Sequence, residues 1–164
     1  MVSLSEPLEY SEITEQLSKD DRIALTCCNT CVRFCGSTSL KAMYDLEKRL
    51  RADGYDVVGS FPASCLCVHE YVKDMDFPED ITAIVCCACA AGESSIYQRY
   101  PGNIKIVKTV RSLGLVLGDR RVGNLKLMMP FDEYKDLGGH EWQMLTGERQ
   151  TENKVPVPYE GDEE

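Results

Sequence analysis

A chain of 164 residues, 43% of them hydrophobic, is long enough to close one core and too short to suggest a second without an evident linker, so one domain is expected. A net charge of −9 opposes binding to a phosphate backbone or an anionic lipid surface. Arg120, Arg121 and Lys126 are too few to form a basic stripe, so neither nucleic acid nor membrane is an expected partner. The opening MVSLSEPLEYSEI lacks the basic patch and apolar run of a secretory signal, and the longest apolar stretches are a handful of residues; a cytoplasmic protein is expected.

Along the chain, residues 7–19 carry Leu8, Ile13 and Leu17 among polar residues, with Pro7 suited to a first turn, and read as a short amphipathic helix covering a sheet. Residues 21–27 form a short apolar run that leads into a polar, cysteine-rich stretch, the pattern of a buried parallel strand ending at a site. After Gly36, Ser37 is placed to cap a helix with Leu40, Met43 and Leu50 on one side and Gly54 at its end. Residues 55–61 read as a second strand, followed by Cys65 and Cys67. Residues 81–85 repeat the pattern before Cys86, Cys87 and Cys89, and a short helix reaches Tyr100. Residues 103–109 are a fourth strand. Residues 110–130, with interleaved glycines and apolar runs, suit a hairpin or a loop and an edge strand. The expected fold is α/β: a single open, mostly parallel sheet of about four strands with flanking helices over residues 1–147. An acidic tail over 148–164 is too polar to order itself.

All nine cysteines lie between residues 27 and 89. In a reducing compartment such a set favours thiolates that bind metal or do redox chemistry over disulfides, and an odd count cannot pair completely. Because ligands collect at the carboxyl ends of strands in an open parallel sheet, three strands ending in cysteines should bring their thiols to one edge. Cys28, Cys31 and Cys35 sit in one strand-to-helix turn, where several soft ligands can meet a small inorganic core, and an iron-sulfur cubane needs four. Cys89 and Cys67 are the leading candidates to complete the set, with Cys27, Cys65 and Cys87 also in reach. The expected metal ligands are therefore Cys28, Cys31, Cys35 and Cys89. Structural zinc takes the same donors but usually from two paired Cys-x2-Cys knuckles, and only one such pair is present. A dithiol enzyme using Cys28 and Cys31 needs only two of the nine. His69, two residues after Cys67, could ligate or tune a metal but reads more simply as a loop residue, and His140 has no recognisable partner. There is no strand-linked G-x-G-x-x-G and no phosphate-binding loop.

Cys28-Asn-Thr-Cys31-Val-Arg-Phe-Cys35-Gly36, behind a strand and ahead of a helix, resembles the C-G-x-C-x3-C stretch of the MetV-type small subunit of methylenetetrahydrofolate reductase, with Asn29 where glycine is usual. Cys89-Ala-Ala-Gly92 after the third strand is similar to that family's C-G-A-G, with Ala90 for the first glycine. The likeness spans roughly residues 21–125. It implies an iron-sulfur cluster of the 4Fe-4S type and a role as an accessory or electron-transfer subunit rather than an independent catalyst. It also implies a methylenetetrahydrofolate reductase-like flavoprotein partner that would carry the flavin and the folate in anaerobic one-carbon metabolism. Longer relatives have further cysteines near the C-terminus for a second centre, and here none follows Cys89.

Overall fold

The computed structural model describes residues 2–102, 104–119 and 123–150. Its first sheet is parallel and has four strands, β2 (Arg22–Cys28), β3 (Asp56–Ala63), β4 (Ala83–Cys87) and β5 (Lys105–Lys108), in the order β3-β2-β4-β5. The crossovers are α3 (Leu40–Ala52) between β2 and β3, α4 (His69–Lys73) between β3 and β4, and α5 (Ala90–Arg99) between β4 and β5. From β2 the chain steps outward to β3 on one side, and from β4 outward to β5 on the other. The strand order therefore reverses between β2 and β4, and the carboxyl ends of those two strands flank the crevice where such sheets bind ligands.

Alternation along the strands sends neighbouring residues to opposite faces. On one face Ala24, Cys28, Ile84 and Cys86 pack with Leu66, Val72, Phe77 and Ile96. On the other Ile23, Leu25, Cys27, Val85 and Cys87 pack with Met43 and Leu50 of α3 and with Ile13 of α1 (Tyr10–Thr14). Helix α3 begins at Ser39, whose hydroxyl accepts from the Ala42 amide at 3.1 Å, and not at Ser37, whose hydroxyl donates to the Val32 carbonyl. It ends as expected at Gly54, where the Tyr55 amide reaches back to Leu50.

The four parallel strands and the α/β class are as expected, but the sheet is not single. A second, antiparallel sheet runs in the order β1-β6-β7-β8-β9. Its strands are β1 (Val2–Pro7), β6 (Val110–Asp119), β7 (Asn124–Pro130), β8 (Glu141–Gln143) and β9 (Arg149–Gln150). The anticipated hairpin is β6 and β7. The lead helix is shorter than expected because Pro7 closes β1, at the sheet edge where its missing N–H costs nothing. Helix α1 then starts behind Glu9, whose amide is held by the Glu12 carboxylate at 2.8 Å. Leu4, Leu113, Val116, Leu125, Leu127 and Trp142 form this sheet's core. The chain past residue 147 contributes β9 to the sheet. The rest of the expected tail, 151–164, lies outside the described residues, as do Arg120, Arg121 and the first residue of the expected fourth strand. Among the described residues no helix is long and apolar enough to cross a membrane.

Candidate metal centre

The doubled cysteines divide by alternation. Cys27 and Cys87 face the α3 side and Cys86 is sealed in the opposite face. These three lie within strands and not in loops beyond them, and burial raises the thiol pKa of each: Cys27 to about 12, Cys87 to about 11, and Cys86 well above its ordinary value. Thr109 and Thr38 hydrogen-bond Cys87 without reversing that shift. They are core residues whose burial favours the neutral thiol.

Five others converge at the crevice. Cys28 ends β2, Cys31 opens α2 (Cys31–Phe34), Cys65 and Cys67 follow β3, and Cys89 caps α5. Cys31 and Cys89 are hydrogen-bonded to each other. Cys28 feels the charge of both Cys65 and Cys89, Cys67 feels that of Cys28 and Cys89, and the Cys65 and Cys67 sulfurs are 3.3 Å apart. Cys28 and Cys89 are buried, Cys31 and Cys65 half-buried, and Cys67 exposed, so the group opens outward from a buried floor.

Backbone contacts tie the three loops together. The Asn29 amide donates to the Ala63 carbonyl at 3.1 Å and the Thr30 hydroxyl donates to the Ser64 carbonyl, joining the loop after β2 to that after β3. Leu66, between Cys65 and Cys67, is fully buried and acts as the anchor of its loop. A Cβ on Gly92 would sit 2.8 Å from Ala88 Cβ and 3.0 Å from Leu66 Cβ, so glycine there lets the first turn of α5 close on that anchor and brings Cys89 to Cys65 and Cys67. A third clamp comes from the second sheet. The turn between β8 and β9 lies against the end of α2, with the Leu145 amide donating to the Phe34 carbonyl at 2.8 Å. Gly36 and Gly147 meet there with φ of 65° and 73°.

The electrostatics single out Cys89. The Cys31 hydrogen bond pulls its pKa down to about 5, against the effect of burial and with help from the Gly92 and Ala91 amides at the start of α5. The shared proton stays on Cys31, whose own pKa is raised. Ionisation of Cys89 is thus favoured, toward the state required of a ligand or nucleophile, at the positive end of a ten-residue helix. Cys28 is raised, mainly by burial, with the Leu66 and Thr30 amides working the other way.

Cys35, expected with Cys28 and Cys31, lies deeper, within electrostatic reach of Cys89 and beside Ser3, which also contacts Cys31 and Cys89. Its sulfur donates to the Ser3 carbonyl at 3.1 Å, it packs in the core of the second sheet, and burial lifts its pKa to about 11. His69 is an exposed first residue of α4, and His140 accepts from Arg149 Nε at 3.2 Å. Among the described residues no group of three or more His, Cys, Asp or Glu side chains forms a site ready to hold a metal ion as it stands. Compared with family models, curated proteins and solved structures, the chain shows no match. Ser3 and Leu66 could not be assigned to the site from the sequence. The strand holding Ser3 is built by pairing with residues more than a hundred positions away, and Leu66 differs from any other buried leucine only by its place between two cysteines.

Proposed function

We propose that this chain is an iron-sulfur protein, the accessory electron-transfer subunit of a redox complex, and not an independent catalyst. The cluster, of the 4Fe-4S type, would be held by Cys28, Cys31, Cys89 and one of Cys65 and Cys67. One observation carries the reading: five thiols from three strand ends meet at the point where the strand order reverses, around Cys89, whose thiol pKa is lowered. The donor set suits a soft metal centre, being all sulfur, partly ionised and buried on its inner side. Loading requires the outer thiols to close in, and Cys67 and Cys31, on the open side, are those with room to turn. A bound cluster would supply a one-electron site. The chain's part is to hold the thiolates, to keep water from the inner face with Leu66, Val72 and Ile96, and to set the local charge through the start of α5.

The resemblance to the MetV-type subunit supports a methylenetetrahydrofolate reductase-like flavoprotein as the partner, in anaerobic one-carbon metabolism. Nine free cysteines support a reducing, cytoplasmic setting. A second reading, a dithiol redox protein, is favoured by the paired Cys31 and Cys89, whose thiol pKa values are pushed apart, Cys89 down and Cys31 up, as in thiol-exchange pairs. The two readings separate on anaerobic purification followed by iron, zinc and sulfide analysis with an optical spectrum. About four iron and four sulfide per chain, with a visible band that bleaches on reduction, supports the cluster. One zinc without sulfide makes the chain a structural module. A metal-free, colourless, folded protein leaves the dithiol.

A further inference from the structure

Cys65 and Cys67 combine two features, and of the other thiols only Cys31 shares their partial exposure. Their sulfurs are 3.3 Å apart, and they lie on the solvent side, Cys67 exposed and Cys65 half-buried. Cys27, Cys28, Cys35, Cys86, Cys87 and Cys89 are buried, which denies them to a reagent arriving from solvent. Leu66 is fully buried between the pair, so the loop is pinned at its centre and both flanking thiols stay on the outer side in each other's reach. A cluster with three ligands from Cys28, Cys31 and Cys89 needs only one of these two sulfurs. The other is surplus at the same spot.

We propose that Cys65 and Cys67 are a redox pair that closes to an intraloop disulfide by exchange with a low-molecular-weight disulfide. Either sulfur of the hydrogen-bonded pair can attack once deprotonated; with Cys65 attacking, its proton passes to solvent and its sulfur becomes the nucleophile. It bonds to one sulfur of the small disulfide, whose S–S bond breaks and whose other half leaves as a thiolate. That thiolate takes the Cys67 proton. Cys67 then attacks Cys65 in the mixed disulfide and expels the second small thiolate, which takes a proton back from solvent. Two protein thiols are oxidised by two electrons, and one small disulfide is reduced to two thiols. Where the cluster reading holds, on which this consequence rests, closure withdraws both sulfurs from the site and leaves it with the thiols of β2, α2 and α5 alone. Cluster assembly is then gated by the thiol poise of the compartment.

The full-length chain, stripped of metal, is equilibrated with oxidised glutathione, blocked with iodoacetamide and digested with trypsin. Cleavage after Arg51 and Lys73 releases 52–73 with Cys65 and Cys67 as its only cysteines, whereas Cys31 and Cys89 fall in the separate peptides 23–33 and 74–99. The expected result is peptide 52–73 unalkylated and about 2 Da lighter, reverting to the doubly alkylated form after a dithiol reductant. Peptide 52–73 still doubly alkylated while others are oxidised, or 23–33 joined to 74–99 instead, overturns the pair. Iron and sulfide uptake is measured on the same samples: uptake by the reduced chain, loss in the oxidised one and recovery on reduction support the gate, and equal uptake by both overturns it. If the reduced chain takes up neither, the cluster reading and its gate fail together, while the peptide mass still decides the pair.

Discussion

Replacing Gly147 by alanine tests the clamp that the second sheet sets on the thiol loop. At a φ of 73° a side chain costs about 1–2 kcal/mol, and a Cβ built there would lie 2.3 Å from the Cys35 carbonyl oxygen, well inside contact. The turn or the end of α2 must move, which strains the 2.8 Å hydrogen bond from Leu145 to Phe34, worth about 1 kcal/mol. Against this, alanine restricts the unfolded chain and returns about 0.4–1 kcal/mol. The net loss is about 2 kcal/mol. With an urea dependence of about 2 kcal/mol per molar, the unfolding midpoint of the metal-free chain should fall by about 1 M. Gly139→Ala is the control, since Gly139 has a similar φ of 83° and nothing within 4 Å of its Cβ position. It should fall by clearly less. Equal midpoints for the two variants would refute the clamp.

Other consequences follow from the same contacts. Thiolate absorbance of the metal-free chain should show about one ionised cysteine at pH 7, protonated as the pH falls through about 5, and Cys89→Ser should remove that step. The stability attached to it has a definite sign. The folded pair has released one proton between the depressed Cys89 pKa and the ordinary thiol value of 9.0, where the unfolded chain has released none. The pair's contribution therefore grows as the pH rises from about 5 toward 9 and declines above it, because Cys31 keeps its proton after both unfolded thiols have lost theirs. Leu66→Ala, at a fully buried anchor, should lower stability by about 3 kcal/mol in urea unfolding and increase alkylation of Cys65 and Cys67 in the folded chain; unchanged alkylation would show that Leu66 does not hold the loop.

Local pattern made the parallel sheet legible. Residues 21–27 and 81–85 are short apolar runs closed by polar loops, and the helix after β2 shows its stop at Gly54, while its start reads two residues early, at Ser37 instead of Ser39. The second sheet was hidden for an equally physical reason. β1 shows only Val2 and Leu4 as apolar alternation, and β8 shows only Trp142, so neither segment announces a strand until β6 and β7 supply the partners. The convergence of thiols was readable from strand ends, but which thiols converge was not. A doublet such as Cys27-Cys28 looks like two ligands in sequence, yet within a strand its members must point to opposite faces, and only Cys28 reaches the crevice. Cys35 follows Cys31 by one helical turn, and the approach of β1 draws its sulfur toward the Ser3 carbonyl.

The most direct test of the central claim is the iron and sulfide content of three chains purified anaerobically side by side: the parent, Cys89→Ser and Cys86→Ser. With the cluster at the crevice, the parent and Cys86→Ser carry about four iron each and Cys89→Ser carries little or none. Full iron in Cys89→Ser, or loss in Cys86→Ser with Cys89→Ser intact, would contradict it.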